Sequence, residues 1–356
     1  MTSEQTKPEP MTDEQLQLIR SVQHNCHISD AKHAGDYTLC VYLLKMREYY
    51  RWEKQQSFNV ELSTDDIGDW LTQREGHWDE IDDQDYTPLE INGEYFDPFD
   101  ANTINRHLTK QGLVYSGGIG HKAKPHFFIG RLERHEKING YEILISAEEY
   151  ARDLTSPPAM SRDNTIFIRR ESFRRLIWER TEEWRWNKPE NAMARAMHCY
   201  HFDEHPEDSL NRMTDNELES TVLHEIGEIK ASELLPGWSD LMHDVAVTQA
   251  EIIGRAVRDH LADSLSTLPK LLADNNEASI HFYFSNLTAM RKLIYPTLVS
   301  AYDIWINNHD ITALQVAVDN SAQHWEKVAR ELLSLHEQHK KACSTYIIDY
   351  IESQYL

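Results

Sequence analysis

The sequence predicts a mainly helical α+β protein with a helical N-terminal region, a small antiparallel sheet and a C-terminal antiparallel helical bundle. Three observations predict it. Apolar residues recur at helical spacing near the N-terminus; between about 113 and 169 short strand-like runs replace that pattern; beyond 214, long amphipathic stretches are joined by short links such as Pro236-Gly237. The expected organisation is a disordered tail over 1–11, an N-terminal α+β domain over 12–212 and the bundle over 213–356.

The tail is polar and holds Pro8 and Pro10. Residues 13–53 read as helical with a break at 24–30. In the later part Leu39, Leu43, Met46 and Tyr50 form one stripe, and Tyr37, Val41, Leu44, Glu48 and Trp52 a second that Glu48 interrupts. A short helix over 65–74 has Ser63 or Thr64 as its cap, and the stretch 78–98, acidic and then rich in Pro and Gly, reads as loop. After a helix at 102–111, strands are expected at 113–116, 126–133, 141–146 and 165–169. Asn139-Gly140 is a hairpin turn signal between two of them. Helices follow over 172–186 and 192–201, the latter ended by Pro206. Four long helices at 215–234, 239–265, 277–307 and 311–353 complete the chain, the third kinked at Pro296.

Composition narrows the function. The chain has 356 residues, with 36 Lys and Arg against 59 Asp and Glu, a formal charge of −23. Such a surface repels nucleic acid and anionic lipid, so the expected partner is a small-molecule substrate; the oligomeric state is open. No apolar run reaches the roughly 20 residues of a membrane helix, and no signal segment follows the start. Four scattered cysteines form no C-x-x-C and fit a reducing cytoplasm.

The sharpest chemical motif is Thr221-Val-Leu-His224-Glu225-Ile-Gly-Glu228. It nearly spells the zinc signature H-E-x-x-H, with Glu228 in the second histidine's place. His224 and Glu228 stand one turn apart and suit iron, manganese or zinc. Helical phase puts Leu218, Val222, Ile226 and Ile229 at the centre of the apolar face, Glu225 at its border and the His224–Glu228 pair on the wetter side. His260 falls on a buried stripe with Met242, Gln249, Ile253 and Ala256. Glu48, a carboxylate among apolar neighbours, needs a partner, a proton or a metal, and Arg180 is the expected partner.

Other groups are weaker. His24, Cys26, His27, Asp30 and His33 cluster within ten positions, as do His198, His201 and His205, and His336, His339 and Cys343. His281 reads as an exposed partner of Glu277. Ser116-Gly-Gly-Ile-Gly-His-Lys122 reads as a flexible loop rather than a phosphate cradle. The arginines 169, 170, 174, 175, 180 and 185 are interleaved with glutamates that neutralise them.

The strings His24-Asn-Cys-His-Ile-Ser-Asp-Ala31, Tyr42-Leu-Leu-Lys-Met-Arg-Glu48, Glu182-Glu-Trp-Arg-Trp186, His224-Glu-Ile-Gly-Glu228 and Ala256-Val-Arg-Asp-His-Leu-Ala-Asp263 together resemble an uncharacterised family of bacterial cytoplasmic proteins. That resemblance spans most of the chain and implies one architecture, with no activity attached. The expectation from the residues is a metal-dependent enzyme activating water or dioxygen. Its metal ligands are His224, Glu228, Glu48, His27 and His260, and Glu225 moves protons. The alternatives are a non-enzymatic binding or regulatory protein and a metal-free enzyme that grips an anionic substrate through the arginines.

Overall fold

A computed structural model describes residues 10–58, 60–120, 124–202 and 204–356. Nearly all of the expected tail lies outside the described residues. The chain is mainly helical with two small antiparallel sheets, as the changes of period predict. It divides into two compact units. One holds the residues up to His135 with 144–158 and 169–172, and the other holds 136–143, 159–168 and 173–356. Residues 173–212 thus group with the C-terminal helices.

The first unit opens with α1 (Asp13–His33), started by a capping box in which the Thr12 hydroxyl accepts from Gln15 N and Gln15 accepts from Thr12 N. The helix runs unbroken through 24–30; the interruption comes at 34–38, after His33. Polar residues suggested a break at 24–30, but they are ties to neighbouring segments. Asn25 accepts from Thr87 N, Cys26 donates to Phe127 O, and Asp30 accepts from Leu154 N. α2 (Leu39–Glu53) and α3 (Thr64–Asp79), capped by Ser63, follow. Ile28, Met46, Tyr49, Trp52, Trp70 and Trp78 close their shared core.

The expected loop at 78–98 contains a small hairpin, β1 (Leu89–Ile91) and β2 (Glu94–Phe96), turning at Asn92-Gly93 with positive φ at both residues. After α4 (Ala101–Leu108), β3 (Leu113–Ile119) pairs antiparallel with β4 (Pro125–Ile138), Leu113 opposite Arg131 and Ile119 opposite Pro125. Most of Ser116–Lys122 is therefore strand or outside the described residues. Gly117 is required there, since a Cβ would stand 2.2 Å from Pro98 O. β5 (Tyr141–Arg152) turns back from β4 at Asn139-Gly140, both with positive φ, as the hairpin signal predicts.

In the second unit β6 (Ala159–Arg162) and β7 (Thr165–Arg169) form a hairpin. α5 (Arg170–Asn187) and α6 (Ala192–Cys199) lead to α7 (Pro206–Leu234), so Pro206 starts a helix at its first turn instead of ending one. The remaining long helices are each broken. The second, expected over 239–265, becomes α8 (Trp238–Asp244) and α9 (Gln249–Ala262), and a π-helical turn, Asp263–Thr267, leads into α10 (Leu268–Ala273), a helix beyond its expected end. The third becomes α11 (Glu277–Asn286), α12 (Ala289–Ile294) and α13 (Pro296–Asn308), divided at Pro296, where a kink is expected, and also at 287–288. The fourth becomes α14 (Thr312–Asp319), α15 (Ser321–His339) and α16 (Cys343–Ile351). Buried Trp238, Ile253, Val257, Tyr295, Trp325 and Leu332 lie in one continuous core. Among the described residues no helix is long and apolar enough to cross a membrane.

Candidate functional site

The motif around His224 owes its geometry to its glycine. A Cβ at Gly227 would lie 2.2 Å from Ala262 O, so α7 and the end of α9 cross with backbones almost touching. That crossing sets His224, one turn earlier, against Asp263, the first residue of the π-helical turn. π-helical turns are uncommon and concentrate at functional sites. His224 Nδ1 lies 2.7 Å from Asp263 Oδ1, and since a carboxylate only accepts, the ring donates. Thr267 Oγ donates to the same oxygen at 3.0 Å, and Arg291 Nη2 donates to Oδ2. Arg291 also donates to Tyr283 OH at 2.9 Å. Gly227→Ala is expected to cost about 1–3 kcal/mol by overpacking this crossing, read as faster amide hydrogen exchange in α7 and α9; exchange unchanged from the parent would refute the account.

The charges explain the protonation states. Burial alone would lower the pKa of His224, but the charge and hydrogen bond of Asp263, with Glu228 and Glu225 nearby, raise it to about 10. Burial would raise that of Asp263, yet Arg291 and His224 hold it well below the usual carboxylate range. Glu225 and Glu228 are both pushed upward, chiefly by burial. The wetter-side expectation for His224 and Glu228 is corrected here. Both are half-buried, and only about a third of the His224 side chain is exposed. The reason is that α7 is covered on more than one side, by α9 and by β6.

Glu225 is buried, as its border position predicts, beside Ser161 of β6. Glu228 is paired with Arg258 of α9. His260 is buried, as expected. Its Nε2 donates to Arg291 O at 3.0 Å and its ring stacks on Trp325, with 4.9 Å between centroids. Its Nδ1 has no partner among the described residues, and burial lowers its pKa to about 3. Gln249, expected beside it, is exposed, because Ala250 takes the inward position at the start of α9.

Glu48 and His27 belong to the first unit. Glu48 is buried, but its partners are Arg47, at 2.9 Å, and Arg51, at 3.3 Å, on its own helix; Arg180 pairs instead with Glu183. His27 sits under Arg74 and Trp78. Arg74 Nη1 lies 2.7 Å from its Nε2, and Trp78 Nε1 lies 3.4 Å from its Nδ1. Burial and then the Arg74 charge lower its pKa to about 2, so the ring is neutral.

The remaining clusters disperse. Lys124 stands 3.4 Å from Asp30, and His33 pairs with Asp36. His281 is buried, correcting the exposed-pair expectation: its Nδ1 is 2.9 Å from Tyr302 OH and its ring stacks on Trp305. His336 bonds Asp244 at 2.9 Å, a carboxylate supplied by a different helix, while His339 stacks on Tyr346. Arg180 and Arg185 are neutralised by the interleaved Glu183 and Glu182, as predicted, whereas Arg169 pairs with Glu149 and Arg174 with Glu207, carboxylates from elsewhere in the chain.

Two residues central to the site went unrecognised in the sequence, Asp263 and Arg291. Asp263 ends the string Asp259-His-Leu-Ala-Asp263, whose carboxylates stand one turn apart, and that spacing is the signal that was present. Arg291 gave none. Among the described residues no group of three or more His, Cys, Asp or Glu stands ready to hold a metal ion.

The fold and this centre define a two-unit α+β protein in which half-buried His224 meets buried Asp263 and Arg291 between helices. Two family models match it: the N-terminal domain of a family of unknown function (DUF6866) over residues 17–169, and the C-terminal domain of the same family over 174–354. The chain belongs to that family. No curated protein and no solved structure matches it.

Proposed function

We propose that the protein is an enzyme acting on a small molecule, with its centre at His224, Glu225 and Glu228, and that it uses a divalent transition metal, iron, manganese or zinc. The observation that carries this reading is the 2.7 Å bond from His224 Nδ1 to Asp263. Metal-ligating histidines usually give their second nitrogen to a carboxylate, which fixes the tautomer and leaves the other nitrogen for the metal. Charge favours a cation as well. Glu225, Glu228, Asp259 and Asp263 face the guanidiniums of Arg258 and Arg291. A divalent ion on a neutral imidazole brings that sum of charges to zero, whereas a protonated His224 leaves one negative charge.

His224 Nε2 and Glu228 would be the ligands, the latter after Arg258 swings away, and Glu225 the proton carrier. Free cysteines support the further proposal of a reducing, cytoplasmic setting. The acidic composition supports a reading without nucleic acid or membrane partners.

One observation favours a second reading. Arg258 already neutralises Glu228, so the same residues can form a metal-free binding or regulatory centre. Elemental analysis of untagged protein, after anaerobic reconstitution with iron, manganese or zinc, separates them. About one equivalent of metal, lost in both His224→Ala and Glu228→Ala, is the expected result. Metal absent from the parent, or retained in both variants, would overturn the metal centre.

A further inference from the structure

The first half of α2 breaks the rule by which a soluble helix hides its apolar face. Leu39 is 71% exposed, Leu44 56%, Leu43 46% and Val41 43%, and Cys40 between them is exposed too. At 100° per residue these five occupy one continuous arc, in the order Leu39, Leu43, Cys40, Leu44, Val41. The opposite face, with Tyr49, fills the core, as does Met46 two turns along from Leu39. A helix apolar nearly all round is expected to be covered, and a contiguous exposed apolar face marks an interaction site.

The groove beside this arc says what covers it. It encloses about 460 Å³, with Leu39, Tyr37, Tyr42 and Trp78 among its lining and Glu75, Asp79 and Asp82 along α3 and the turn after it. Among the described residues that line it there is no basic side chain. Tyr42 OH donates to Glu75 at 2.8 Å, joining the apolar arc to the acidic wall. A second copy of this chain, itself carrying −23, would bring like charges to that wall.

We propose that the exposed arc of α2 and its acidic groove form a docking surface for a cationic amphipathic helix of another protein. Apolar side chains at i, i+3 and i+4 of the partner would cover Leu39, Leu43 and Leu44, and its lysines or arginines would face Glu75, Asp79 and Asp82.

Cys40 gives a direct test. In the full chain carrying Cys199→Ser, with Cys26 and Cys343 buried, an environment-sensitive fluorophore is attached at Cys40. The probe is a synthetic 18-residue helix of leucines and lysines with one apolar stripe, and calorimetry on unlabelled chain checks that the label is innocent. Saturable binding is expected, with at least a tenfold loss of affinity for Leu39→Ser/Leu43→Ser and for Glu75→Gln/Asp79→Asn/Asp82→Asn. These positions are surface-exposed or groove-lining, so circular dichroism should match the parent. A scrambled peptide of the same composition should bind at least tenfold more weakly. Absence of binding, equal affinity for the scrambled peptide, or affinity unchanged in either variant overturns the proposal. So does self-association in sedimentation that shields Cys40 without peptide, which would assign the face to a second copy.

Discussion

Replacing Asp263 with alanine should destabilise the second unit by about 3–5 kcal/mol, the cost of leaving one partner of a buried ion pair uncompensated. Asp263 is 1% exposed and Arg291 8%. Among the described residues, Arg291 then keeps only Tyr283 OH for the Nη2 donor, its Nε already lacks a partner, and His224 loses the acceptor for Nδ1. Hydrogen exchange of the α9 and α12 amides reads the loss where it occurs. Asp263→Asn should cost less, since the amide oxygen still accepts from Thr267 and His224 while the charge is gone. If Asp263→Ala changes protection by under about 1 kcal/mol, the cluster does not hold these helices together.

The same residues predict a pH dependence. His224 titrates higher in the folded chain, at about 10, than the 6.5 of a free imidazole. Its stabilising contribution is therefore fully present below about pH 6.5 and is lost as pH rises through about 10. Asp263, depressed in the folded chain, contributes above its unfolded value of about 4 and loses that contribution as pH falls through its lower folded value. The pair thus contributes most between about pH 4 and 6.5. Chemical unfolding at pH 6 and pH 9 should show an alkaline decline that shrinks in His224→Ala. An equal decline in parent and variant would contradict the raised pKa.

The class of fold was legible because its signals are local. Asn139-Gly140 turns a hairpin, Pro296 divides a helix and Ser63 caps another, each from the chemistry of one or two residues. The burial of Glu48 was legible only in its outcome, since Trp52 on its stripe is buried with it but Val41 and Leu44 are exposed. Its partner was misread. A helical wheel shows which face is apolar but not that Arg47 and Arg51 can curl back onto the same carboxylate. The site itself depends on contacts across long separations, and these escape periodicity. His224 meets Asp263 39 residues later, across a close approach that only Gly227 permits and a π-turn that no residue type announces. One apolar stripe also cannot show that a helix is covered on its other side. This is why half-buried His224 and buried His281 were both read as wetter than they are.

The second large effect lies in the first unit, at the fully buried pair Arg169 and Glu149. Both side chains have 0% exposure. Arg169 donates to Glu149 from Nε at 3.1 Å and from Nη2 at 2.5 Å, and its guanidinium lies 4.4 Å from the centre of the Phe128 ring. Ser172 N donates to the same carboxylate at 3.1 Å, so Glu149 also satisfies a free amide in the first turn of α5. Arg169→Ala leaves that carboxylate with Arg152 4.0 Å away as its remaining cation and should cost about 3–5 kcal/mol. Glu149→Ala should cost at least as much, because it strands Arg169 and the Ser172 amide together. Replacing both with apolar residues of similar size, Arg169→Met with Glu149→Leu, removes the two charges at once. The loss should then fall well below the sum of the single effects, leaving mainly the missing helix-start acceptor. A double variant as damaged as that sum would mean the two residues act independently, which their two hydrogen bonds in a dry core do not allow.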